Sequence, residues 1–203
     1  MWIEAIMGTE WVYPIVGLLI FGDCFFPVLP SEIPLNMAGA WAGSQGFPHL
    51  PTMFFAALVA AMLGDNLCFL LGTRFMPLLN RIQKGTKAYE ALTWVKRNMR
   101  RGGGAAIIIA RFIPSARLFM TILLGSMRFP WPVFLFFDTI GVMLWAFQAL
   151  AIGYVGGLAF SDTPLFAMVI SIIAAVFIGL GLQKAQNSIM EWWDTRRGYA
   201  ETP

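Results

Sequence analysis

The apolar stretches of this chain are too long, and too poor in charge, for a fold surrounded by water. Hydrophobic residues fill 58% of the 203 positions and charged residues 12%, against about half and about a quarter in an ordinary soluble domain. So few charged side chains cannot cover so much apolar surface. Disorder is ruled out, a soluble globular enzyme is disfavoured, and lipid is the solvent the composition suits. The length fits one membrane domain, residues 1–203. Any charge inside an apolar stretch then needs a reason.

The stretches differ in kind. Residues 11–43 form an interrupted block, with Pro27, Pro30 and Pro34 crowding its middle and Asp23 and Glu32 inside it. A proline within a helix removes a hydrogen bond and clashes with the preceding turn. Two short helical pieces with a bend fit better than one straight span. Residues 52–72 are uninterrupted and, at about 1.5 Å per residue, reach across a hydrocarbon core of roughly 30 Å. Residues 73–103 carry many bases, among them Arg74, Lys84, Lys96 and Arg101, against the single acid Glu90. Ala88, Leu92, Val95 and Met99 recur there at helical spacing, which predicts a basic amphipathic surface helix stopped at Gly102. A solvated basic loop is the alternative. The block 104–127 is broken at Pro114 and Ser115, with Arg111 and Arg117 on either side. Residues 131–157 and 164–183 read as two further spans. The tail, 184–203, holds Lys184, Arg196 and Arg197, with Trp192 and Trp193 as an interfacial anchor.

Charge placement orients these pieces. Bases concentrate on the cytoplasmic side of membrane proteins, so segment 73–103 and the tail are expected there. If each interrupted block enters the membrane and returns on the same side, every charged loop obeys that rule. Two full spans in place of the re-entrant blocks also keep the basic segment and the tail together, and the proline breaks favour the re-entrant version. No base precedes Arg74, so no cleaved signal peptide is expected. Cys24 and Cys68 lie in apolar runs and read as packing residues, and His49 as a loop residue. Neither a metal site nor a cofactor is expected.

The halves echo each other. Pro30-Ser31, a charge and an apolar run to Gly39 match Pro114-Ser115, a charge and an apolar run to Gly125. A loop and a span follow in each, closing on Gly72 and Gly153. The expected fold is an all-α polytopic membrane protein built as an inverted repeat. Its halves are 11–72 and 104–157, each a re-entrant helical hairpin followed by a transmembrane helix, and 164–183 is the last span. Opposed broken helices are a transporter architecture, and irregular backbone at that depth must face protein or a water-filled cavity.

Six charges fall at membrane depth: Asp23, Glu32, Asp65, Arg111, Arg117 and Asp138. Each costs about 2.5–3.5 kcal/mol at a helix centre even on a lenient scale. Arg111 and Arg117 are out of phase on one helix, but the Pro114-Ser115 break lets both reach one site. Two guanidiniums together suit phosphate or carboxylate. The arginines could equally pair with Glu32 and Asp65 to hold the broken tips together, and the two roles can coexist. Glu32 and Asp23, then Asp65, are candidates for carrying a proton. Asp138 shares a helical stripe with Gly141, Trp145 and Gln148 and reads as a helix–helix contact in support.

The segments FFPVLPSEIPLNMAGAWAG, GDNLCFLLGTRF and ARFIPSARLFMTILLGSMRFPWPVFLFFDTIGVMLWAFQALAIGYVGG resemble the DedA family of bacterial membrane proteins. Its wider superfamily includes eukaryotic VTT-domain lipid scramblases. The likeness covers roughly residues 20–157. It implies a transporter with two opposed re-entrant loops, recycling undecaprenyl phosphate and dependent on the proton-motive force. It also implies that Glu32 is the acid of the first loop, Asp23 the acid before it, and Arg111 and Arg117 the essential pair. Ser115 stands where many members have glycine, and Asp23 is shorter than the usual glutamate; either can shift specificity.

The expected function is a proton-coupled transporter or flippase of an anionic polyprenyl-phosphate lipid in the bacterial cytoplasmic membrane. Arg111, Arg117 and Ser115 would bind the phosphate. A proton-coupled exchanger of small ions or oxyanions and an energy-independent phospholipid scramblase are the alternatives. An enzyme is not expected, since one histidine and no metal-ligand motif leave little to build a nucleophile set. Expected partners are the lipid phosphate, protons and anionic membrane lipids, not nucleic acid. The apolar outer faces are compatible with a monomer or a homodimer.

Overall fold

A computed structural model describes residues 6–26, 31–74, 93, 104–111 and 116–159. The described residues are helical, without strands. In chain order the helices are α1 (Val12–Asp23), α2 (Glu32–Gln45), α3 (Leu50–Arg74), α4 (Gly104–Ala110), α5 (Ala116–Ser126) and α6 (Trp131–Ala159). Both interrupted blocks are therefore pairs of short helices, and the uninterrupted stretches 52–72 and 131–157 are single long helices. Pro27, Pro30, Pro114 and Ser115 lie outside the described residues, as do most of segment 73–103, the expected span 164–183 and the tail.

Proline placement shows how the elements begin. Pro14, Pro34, Pro51 and Pro132 stand in the first turns of α1, α2, α3 and α6, where a missing N–H costs nothing. Pro34 thus opens α2 rather than breaking it. Gly46 ends α2 with φ 75°, its N–H donating to the Ala42 carbonyl at 2.9 Å, a left-handed cap that suits glycine.

Length separates the helices into two classes. α3 and α6, at 25 and 29 residues, extend about 37 and 43 Å and exceed the hydrocarbon core. By length and composition they are the two candidate membrane spans among the described residues. α1 and α2, at 12 and 14 residues, reach about 18 and 21 Å and fall short.

Packing runs both between and within the halves: α2–α6 and α3–α5 cross, while α1–α3 and α4–α6 do not. α2 lies along α6, α5 along α3, α1 on α3 and α4 on α6. Glycines permit the two closest approaches. A Cβ on Gly39 would stand 2.6 Å from the Leu150 carbonyl oxygen, and one on Gly125 would stand 3.2 Å from the Gly72 Cα. Gly153 meets the Asn36 and Ala40 backbone from the other side. Ser126 adds a 2.7 Å hydrogen bond to the Gly72 carbonyl. Small residues with a cross-helix hydroxyl are how helices associate where lipid removes the hydrophobic drive. Val12, Val16, Ile20, Leu35, Met53, Ala57, Val142 and Leu150 fill the space between α1, α2, α3 and α6.

Polarity is inverted relative to a soluble protein. Phe55 and Phe147 are 61% and 68% exposed, with Val59, Leu63, Leu70, Met143 and Leu144 also outward. Asp65, Arg111 and Asp138 are 2%, 6% and 4% exposed. Charges inside and phenylalanines outside are stable only if the outside is apolar.

Candidate functional site

Five charged side chains from five places in the chain meet in the interior. The C-terminal end of α1 brings Asp23, the middle of α3 Asp65, the residue after α4 Arg111, the first turn of α5 Arg117, and the first third of α6 Asp138. α4 stops just before Arg111 and α5 starts just before Arg117, so the break between them gives the two arginines independent directions.

Asp65 is the hub. Its Oδ2 lies 2.5 Å from Arg111 Nη1 and its Oδ1 3.8 Å from Arg117 Nη1. Arg111 Nη1 also donates to Asp138 Oδ1 at 3.2 Å. The Arg111 guanidinium carbon stands 5.4 Å from the centre of the Trp145 ring, within cation–π range. Gly141 makes room for this side chain, since a Cβ there would lie 3.4 Å from Arg111 Cδ.

Arg117 works at the end of α1. Its Nη2 donates at 3.1 Å to the Asp23 carboxylate and at 3.1 Å to the Asp23 carbonyl. A cation there also compensates the negative end of the helix dipole. Ser31, directly before α2, has the position of a helix cap but makes no capping bond. Its hydroxyl donates instead to Asp23 Oδ2 at 2.7 Å, tying the start of α2 to the end of α1. The Cys24 thiol sits 3.6 Å from Arg117 Nη1, and the Cys68 thiol donates to the Cys24 carbonyl at 3.2 Å. Both cysteines are free and buried.

Two features depart from expectation. The arginines pair with Asp23, Asp65 and Asp138, whereas Glu32 is exposed in the first turn of α2 and forms no ion pair among the described residues. Asp138 holds an ion pair with Arg111 rather than a plain helix–helix hydrogen bond. The sequence reading gives Ser31 a place only in the repeated Pro-Ser pair and Cys24 only a packing role, and neither a part in the site. The Ser31 signal was its place between the bend and α2, but a serine there reads as a cap.

The cluster is unbalanced in two ways. It has three carboxylates and two guanidiniums. It also leaves donors and acceptors over: Arg111 Nε and Nη2 and Asp138 Oδ2 are buried without a hydrogen-bond partner among the described residues. Removing one member of a buried ion pair costs about 3–5 kcal/mol, yet replacing a whole pair by apolar groups is often neutral or stabilising. Such a cluster is a poor way to stabilise a fold. Its presence in an apolar interior points to use.

Comparison with known proteins gives the chain relatives. Residues 27–155 match the VTT domain family model. The chain is 30% identical over 205 residues to an uncharacterized membrane protein of Mycobacterium tuberculosis, covering 97% of this chain and 87% of that one. It is 28% identical over 182 residues to an uncharacterized membrane protein of Mycobacterium bovis, covering 85% and 84%. It is 29% identical over 152 residues to the protein DedA of Escherichia coli, covering 72% and 69%. No solved structure matches.

Proposed function

The chain belongs to the VTT-domain family of membrane proteins that includes DedA, and from that membership we propose that it is a proton-coupled transporter of an anionic polyprenyl-phosphate lipid. Its place is the bacterial cytoplasmic membrane, with segment 73–103 and the tail facing the cytoplasm and anionic lipid head groups.

The observation that carries this reading is the free edge of Arg111. Nη1 is committed to Asp65 and Asp138, while Nε and Nη2 are buried and without a hydrogen-bond partner among the described residues. Those two N–H groups form the parallel fork that matches two oxygens of one phosphate. A buried donor left without a partner costs about 1–3 kcal/mol, more when charged. A ligand that satisfies the fork relieves that cost. Arg117, facing the same Asp65, supplies a second guanidinium, and Ser115, from the break between the arginines, a hydroxyl. The carboxylates beside them take up the accompanying proton; from sequence alone Glu32 and Asp23 rank first and Asp65 next.

The lipid tail need not enter the protein. A groove of about 640 Å³ between α1 and α3, lined by Gly17, Phe21, Ala56, Val59 and Leu63 among others, supports a tail lying on the outer surface while the head group enters.

We read α1–α2 and α4–α5 as re-entrant hairpins of an inverted repeat. The packing supports this: exchanging the halves carries α2-on-α6 into α5-on-α3, and α1-on-α3 into α4-on-α6. The pairs Gly39–Gly153 and Gly125–Gly72 exchange in the same way. Two opposed gates around one fixed site are what alternating access requires.

The test is translocation of a fluorescent polyprenyl phosphate by the purified chain in proteoliposomes, with and without an imposed pH gradient. Wild type translocates faster with the gradient, and Arg111→Ala and Arg117→Ala lose translocation while remaining folded. Unchanged translocation in both variants refutes the proposal. Proton flux driven by small ions without lipid phosphate would favour an exchanger, and translocation indifferent to the gradient a scramblase.

A further inference from the structure

The three buried acids are held very unequally. Asp65 faces a guanidinium with each oxygen, Arg111 at 2.5 Å and Arg117 at 3.8 Å. Asp23 accepts from Arg117 at 3.1 Å and from Ser31 at 2.7 Å. Among the described residues Asp138 has one polar contact, Oδ1 to Arg111 Nη1 at 3.2 Å. Its Oδ2 is buried and has no hydrogen-bond partner among the described residues, and at 4% exposure it is largely out of reach of bulk water.

That single partner is also the most contested group in the cluster. Arg111 Nη1 serves Asp65 and Asp138 together, and the Nε–Nη2 fork of the same guanidinium is the open one. The charged groups bearing on Asp138 are Asp65 from α3, Arg111 beyond α4 and Arg117 from α5. From α2, packed on the same helix, comes only Glu32, which is exposed. No further cation among these stands ready to compensate added negative charge.

An anion on the fork adds negative charge to a group of three carboxylates and two guanidiniums that already has one negative charge in excess. Like charges brought together out of water favour neutralising one of them, and the least-held acid neutralises most easily. We infer that anion binding on the Nε–Nη2 edge of Arg111 is accompanied by protonation of Asp138, which makes this aspartate the coupling acid. The inference rests on the proposed anion site at Arg111 and adds the identity of the proton carrier, an acid that the sequence reading gives only a supporting helix–helix contact. The step forms one O–H bond on the Asp138 carboxylate, breaks one in a hydronium ion drawn from bulk solvent, and moves no electrons. Release of the anion returns Arg111 Nη1 to Asp138 and the proton to water. Reciprocity follows: if the anion favours the proton, the proton tightens the anion by the same factor.

The experiment uses the full-length chain in detergent and a short-chain prenyl phosphate, titrated calorimetrically in buffers of different ionisation enthalpy. This reads binding and proton uptake in one sample. Wild type should take up protons on binding, and the affinity should rise as pH falls, by up to about tenfold per unit for one linked proton. Asp138→Asn should bind while taking up only what the ligand's own titration contributes. Asp138→Glu should retain uptake with a displaced pH midpoint. Uptake in Asp138→Asn equal to wild type overturns the inference, as does binding to wild type without uptake, and in that second case the anion site stands. Absence of any binding to wild type fails the anion site itself. Should Asp138→Asn not fold, an Asp138→Glu midpoint identical to wild type overturns the assignment.

Discussion

Replacing Arg111 with methionine separates the two things this residue does in the folded chain. Methionine keeps an unbranched apolar stem and removes the charge. Asp138, 4% exposed, is then left without a partner among the described residues. Asp65, 2% exposed, retains only Arg117 at 3.8 Å. Stranding one buried charge costs about 3–5 kcal/mol, and the upper half of that range applies because two carboxylates lose the same cation. The contact with Trp145 is lost as well, worth about 0.5–2 kcal/mol. Arg117→Met should cost less, about 1–3 kcal/mol, because its side chain is partly exposed and Asp23 keeps the Ser31 hydroxyl. The second half of the experiment is the double variant Arg111→Met with Asp138→Leu. It removes one of the stranded charges and should recover part of the loss, with a coupling of about 1–3 kcal/mol. Reversible unfolding in mixed micelles, followed by tryptophan fluorescence, measures all four corners of the cycle. Arg111→Met within about 0.5 kcal/mol of wild type, the range of an inert surface change, would refute the ion-pair account, and so would strict additivity.

Three further outcomes follow from the same geometry. Ser31→Ala removes a buried 2.7 Å donor to Asp23 and should lower stability by about 1–3 kcal/mol, read by thermal unfolding; a cost near zero would mean Asp23 finds another donor. Gly39→Leu and Gly125→Leu should each destabilise by at least about 1–3 kcal/mol, because a Cβ there meets the backbone of the helix opposite. Full-length folded yield and the unfolding midpoint check this, and wild-type behaviour of both variants would contradict the close packing of α2 on α6 and α5 on α3. Glu32→Gln should change stability by no more than about 0.5 kcal/mol, since Glu32 is exposed and unpaired among the described residues; a large loss in the same unfolding assay would show that it is engaged.

The membrane character and the helix pattern were legible in the chain itself. Apolar run length decides whether a helix can cross a bilayer, and proline position decides where it cannot continue; both are local properties. The break between Asp23 and Glu32 and that between Arg111 and Arg117 could be located from prolines and charges alone. So could the glycines at 39, 72, 125 and 153, which recur in order in both halves. The charges, too, could be found one by one, because each is costly in an apolar stretch regardless of its partner.

What the chain could not disclose is who pairs with whom. Asp65 and Arg111 are 46 residues apart, and Asp23 and Arg117 are 94 apart. No spacing rule reaches across such separations, and helical phase is lost at each break. Sequence puts Glu32 and Asp23 first as proton carriers and gives Asp138 only a supporting helix–helix contact. The fold turns Glu32 outward and presses Asp138 onto Arg111 because Gly141 lets the side chain lie against α6. The amino-acid sequence by itself determined the solvent, the lengths of the helices and the inventory of buried charge, all set by transfer energies of single residues. Only the tertiary structure decided which carboxylate shares a guanidinium and which edge of that guanidinium stays open, because those depend on the meeting of five segments far apart in the chain.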